Sequence, residues 1–149
     1  MSVRIKIFSL CWIIILLTTQ YANSQTQGID VKFKKYHLWD EFYTEAATTA
    51  DVNKDGKTDI IAGARWFEAP DWKAHDIWKH KKFYYTKGYA DSFLNYAQDV
   101  NEDGWMDLIC FDFPGKEVYW FENPAGQDVL WKRNLIDSIA SNESPMNVD

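Results

Sequence analysis

An all-β fold built from repeated units is predicted by three features of this sequence. A nine-residue acidic pattern occurs twice, as "DVNKDGKTD" from Asp51 and "DVNEDGWMD" from Asp99, 48 residues apart. Short runs rich in β-branched or aromatic residues follow each copy, "TDIIAGA" and "MDLICFDF", and loop signals bound them. After the N-terminal segment, no run of about 12 residues has clear helical periodicity. A period in the forties with roughly four short strands per unit fits the blade of a β-propeller, whereas a solenoid of similar period needs helical patterning. The expected fold is therefore a partial β-propeller of four-stranded antiparallel blades, about two of them and the start of a third. A two-sheet sandwich with a coincidental duplication is the competing architecture.

Taken in order, the chain opens with the layout of a secretory signal. Arg4 and Lys6 give a positive start, Ile7 to Leu17 form an apolar core, and "YANS" offers small residues at Ala22 and Ser24. This places a signal peptide over residues 1–24 and a mature chain that is secreted, periplasmic or extracellular. The apolar run is shorter than the roughly 18–20 residues a membrane-spanning helix needs. Cys11 lies inside that core rather than after it, which argues against a lipoprotein signal. Removing Arg4 and Lys6 leaves 14 basic against 22 acidic residues, a net charge of −8. Such a balance argues against nucleic acid or an anionic membrane as partner and suits a cation. Only Cys110 remains after processing, so no intramolecular disulfide can form, and a buried apolar role between Ile109 and Phe111 is expected.

The mature chain, residues 25–149, then runs through repeat loops starting at Asp51, at Asp99 and, truncated, at Asn147. The final "NVD" puts Asn147 and Asp149 in the places of Asp99 and Asn101. "RWFEAP" (Arg65 to Pro70) follows the first loop and "YWFENP" (Tyr119 to Pro124) the second. A Trp-Lys pair follows each, read here as "WKH" from Trp78 and "WKR" from Trp131. Adjacent aromatics in "VYWFEN" send one ring to each face, as a strand buried on both sides requires. Turn signals lie at Gly56, at "FPGKE" and at "ENPAG".

The acidic loops carry the chemistry. Calcium is a hard cation taking 6–8 oxygen ligands at about 2.3–2.6 Å. In the first loop Asp51, Asn53 and Asp55 can turn toward one centre, and Gly56 permits the sharp turn. The carbonyl of Lys57 can then point inward, and Asp59 closes the shell from the start of the next strand. The second loop repeats every part with Asp99, Asn101, Asp103, the carbonyl of Trp105, and Asp107. Magnesium wants a compact octahedron, and zinc wants His or thiolate ligands that the set lacks. An EF-hand needs Glu at position 12 and flanking helices, whereas position 12 is Ala62 in one copy and Cys110 in the other. The bland alternative is a polar turn in which Asp and Asn bond their own backbone.

On these residues the chain resembles FG-GAP/VCBS repeats, which build integrin-α-like β-propellers, over about residues 45–149. The resemblance implies calcium held by the loop aspartates and asparagine. That family usually closes about seven blades; two units and the opening of a third lead us to expect a fragment of a longer protein, or completion by association. The expected function is a binding or adhesion module for a glycan or protein, with calcium structural. Trp72, Tyr84, Tyr85 and Tyr89 are the candidates to stack on sugar rings. The alternative is the N-terminal part of a carbohydrate-active enzyme. The "WFENP" repeats resemble those of secreted propeller proteins such as aldos-2-ulose dehydratases, which implies a sugar lyase or dehydratase. His37, His75 and His80 are its possible acid-base groups. No sequence spacing orders them, and His80 in "KHKK" reads as part of a solvated basic patch. No catalytic residue is therefore assigned from the sequence.

Overall fold

The computed structural model describes residues 30–140 and 144–145. The expected signal peptide over 1–24 and the third loop opening at Asn147 lie outside the described residues. The chain divides into two compact units, Met1–Tyr36 and His37–Asp149. Residues 30–36, the described part of the first, contain no strand.

The second unit contains two four-stranded antiparallel sheets. The first runs in chain order through β1 (Thr48–Ala50), β2 (Asp59–Ala62), β3 (Arg65–Glu68) and β4 (Lys73–Asp76). The second does the same with β5 (Leu94–Gln98), β6 (Asp107–Phe111), β7 (Lys116–Glu122) and β8 (Lys132–Ala140). Neither a helix nor a closed barrel occurs among the described residues, and the arrangement is that of a partial propeller. Each sheet is a meander, its consecutive strands joined by connections of two to nine residues. β2 and β3 join through the two-residue hairpin Gly63-Ala64, whose first residue has φ of 52°, a conformation that Gly adopts without steric cost.

Strand register decides which side chains form the core. Ile61 lies opposite Trp66, and Leu108 lies opposite Phe121. These faces meet in one cluster with Val52, Ile77, Cys110 and Trp131. Trp78 stacks on Phe121 with ring centroids 4.4 Å apart. Backbone bonds fasten the same seam, from Trp131 N to Ile77 O at 2.8 Å and from Glu45 N to Ser92 O at 3.0 Å. Arg65, Trp66 and Phe67 are buried in succession, so β3 is covered on both faces; in β7, Val118 and Phe121 are buried and the adjacent Tyr119 and Trp120 are half-buried. Cys110 is buried, and burial pushes its thiol up to about 12.

One sequence expectation needs correction. The ladders pair Phe67 with Ala74 and Phe121 with Arg133. Trp131-Lys132 therefore corresponds to Trp72-Lys73, not to Trp78-Lys79. The turn before the last strand spans residues 69–72 in the first sheet and 123–131 in the second. That difference moves the Trp-Lys pair forward in the first sheet, and Trp78 falls beyond the end of β4.

Candidate functional site

Each acidic loop leads from the first strand of its sheet into the second, and Asp59 and Asp107 are the opening residues of β2 and β6. The two loops share one backbone conformation. Lys54 and Glu102 have φ of 59° and 60°, and Gly56 and Gly104 have 83° and 85°. Glycine meets the second requirement at no steric cost, whereas a side chain there would be strained.

The carboxylates hold the turns from within. Asp51 accepts from Asp55 N at 3.1 Å and Gly56 N at 2.9 Å, and Asp99 accepts from Asp103 N at 3.0 Å and Gly104 N at 2.8 Å. Asn53 and Asn101 each add an oxygen to the same N–H. Asp55 accepts from Lys57 N and Asp103 from Trp105 N. Asp59 is fully buried and bonded on both oxygens, to Val52 N at 2.9 Å and Ala69 N at 2.8 Å. Asp107 repeats this with Val100 N at 3.0 Å and Asn123 N at 2.8 Å.

The electrostatics of the copies differ. In the first, the Lys57 ammonium lies 2.6 Å from Asp55; the pair lowers the Asp55 carboxyl and raises the lysine. In the second, Asn101 Nδ2 donates to Asp103 instead. Burial raises the Asp107 carboxyl, against the pull of its two backbone N–H partners.

All candidate ligands thus sit in two equivalent loops. Their donors are oxygens alone, a set suited to a hard cation, and each ionised carboxylate has about four lone-pair sites, more than these bonds use. Among the described residues, no group of three or more His, Cys, Asp or Glu side chains is gathered closely enough to hold an ion.

A second polar cluster lies in a cleft of about 120 Å³ between the sheets, lined by Asn53, Trp66, Glu68, His75, Asp128 and Trp131 among others. His75 Nε2 is 2.9 Å from Glu68 Oε2, and Nδ1 is 3.3 Å from Asp128 Oδ1. Trp66 stacks on the ring at 4.2 Å. Glu68 in turn accepts from Asn53 Nδ2 of the first loop at 3.2 Å. His75 is therefore ordered, which sequence spacing did not reveal.

His80 is not part of a solvated patch either. Its ring lies 2.9 Å from the buried Arg65 guanidinium, which bonds Asp76 at 2.8 Å and lies over Trp39 at 3.7 Å. Of the aromatic candidates, Tyr84, Tyr85 and Tyr89 are exposed, while Trp72 is half-buried.

A family model described as the FG-GAP repeat matches residues 42–69, which contain the first acidic loop and β1 to β3. No curated protein and no solved structure matches the chain.

Proposed function

We propose that this chain belongs to a secreted, calcium-stabilised propeller protein that binds a glycan or protein outside the cytoplasm. The observation carrying the reading is the recurrence of one oxygen-rich loop, with one backbone conformation, at the same place in two successive sheets. The FG-GAP match over the first copy supports it. Asp51, Asn53, Asp55, the Lys57 carbonyl and Asp59 would hold one ion, and Asp99, Asn101, Asp103, the Trp105 carbonyl and Asp107 the other. The acids of each loop would have to draw together around the ion, which would neutralise their mutual repulsion and stiffen the entry to the strand.

Ligand contact is assigned to Tyr84, Tyr85 and Tyr89, whose exposure suits stacking on sugar rings. Further blades would come from a longer chain or by association. The outer strand β8 supports this, since it leaves Leu135, Ile136 and Ile139 more than half exposed.

A thermal melt with and without EDTA tests the calcium limb. An ion at a hundred times its dissociation constant adds about 2.7 kcal/mol. Chelation should then lower the midpoint by roughly 10 °C, reversibly on adding calcium. An unchanged melt would sink the calcium assignment.

A second reading has its own observation, the placement of His75 between Glu68 and Asp128 beside a cleft. Such a histidine could exchange a proton with a sugar in an elimination. Acidic and neutral glycans offered to the protein separate the two readings. Retention without turnover is the expected result. Formation of an unsaturated sugar, lost in His75→Ala and kept in His80→Ala, would establish the enzyme instead.

A further inference from the structure

Asn123 is 3% exposed and occupies the position that Ala69 holds in the first sheet. Both residues donate their backbone N–H to the strand-opening carboxylate at 2.8 Å. The side chains differ. Asn123 Nδ2 donates to Val52 O in the first acidic loop and to Met106 O in the second, each at 3.0 Å. Its Oδ1 accepts from Gly126 N at 3.1 Å. One buried amide thus grips both loops with its two N–H groups. A second bridge runs beside it, with the Lys54 ammonium 4.3 Å from the centre of the Trp105 ring.

We propose that Asn123 is a positioning residue that couples the two loops, so that a divalent cation held by one raises the affinity of the other. The inference rests on the calcium reading and extends it. Val52 lies between the candidate ligands Asp51 and Asn53, and Met106 directly precedes Asp107. The peptides whose carbonyls Asn123 holds therefore set where those side chains begin. A loop that moves alone leaves a buried N–H without an acceptor, which is costly; loops that move together keep both bonds. Order gained at one loop is in this way passed to the other, and the coupling is reciprocal.

The test is calorimetric titration of calcium chloride into the chelator-treated full chain, as wild type and as Asn123→Ala. Ala69 is the precedent for alanine in this turn with the backbone bond kept. Wild type should take up two ions with positive cooperativity. The variant should take up two ions independently, its second-step affinity about five- to tenfold weaker. Asn123→Asp, near-isosteric but with an acceptor replacing Nδ2, should lose cooperativity in the same way and serves if the alanine variant does not fold. Amide hydrogen exchange without calcium gives a second readout. Coupling predicts faster exchange in the variant across residues 51–59 as well as 99–107, whereas a local role at residue 123 changes only the latter. Equal cooperativity in wild type and variant, with two ions bound, overturns the coupling and leaves the calcium reading standing. Failure of folded wild type to bind calcium overturns both.

Discussion

Replacing Asp59 by Ala is expected to cost about 3–6 kcal/mol of folding stability, because two charge-assisted hydrogen bonds worth about 1.5–3 kcal/mol each are lost together. The carboxylate has no exposure to water, and its oxygens take the N–H groups of Val52 and Ala69. Those donors belong to the acidic loop and to the turn after β3, so this one side chain ties three segments of the first sheet together. Asn at the same position keeps one acceptor and turns an NH2 toward the other N–H, and about half the loss is expected. Asp107→Ala should behave alike, since it holds Val100 and Asn123 in the same way. Urea unfolding in the presence of EDTA checks the argument. A loss that persists under chelation belongs to the hydrogen bonds, and a loss that disappears there would mean that Asp59 stabilises only through an ion.

The part of the molecule legible in the sequence is the part written locally. The loop pattern and the Asp that opens each strand lie within nine residues, so β2 and β6 begin where the pattern closes. Strand number followed from hydrophobic runs between turn signals. The Trp-Lys register failed because two turns of different length separate otherwise equivalent strands, and periodicity alone cannot locate an insertion inside a turn. The His75 cluster was illegible for another reason. Asp128 is 53 residues away, on a turn of the other sheet, and reaches the ring only once the sheets pack. Asn123 had a local trace, since "FENP" replaces the Ala of "FEAP", yet its bond to Val52 crosses 71 residues. His80 read as solvated because its neighbours are lysines; it pairs instead with Arg65, which the seam around Trp39 and Tyr43 encloses. The Tyr43 hydroxyl there is pushed up to about 12 by burial.

Phe121→Ala is expected to cost about 3–5 kcal/mol, the range for deleting a buried aromatic, and to loosen the two sheets from each other. Phe121 is 4% exposed and sits in the cluster that both sheets build. Its ring stacks on Trp78, which follows β4 of the other sheet; such a pair adds about 0.5–1.5 kcal/mol beyond the area it buries. Domains of this size are stable by only about 5–15 kcal/mol, so the variant gives up a large share of the whole. Phe111 provides the comparison. It pairs with Val118 on the opposite face of the second sheet and is half-buried, so Phe111→Ala should cost less than half as much. Urea midpoints for the two variants decide where the core lies. A much larger drop for Phe121 places the stabilising contact between the sheets, whereas equal drops would mean that the face where the Phe111 ring meets Tyr96 at 5.9 Å contributes as much as the seam.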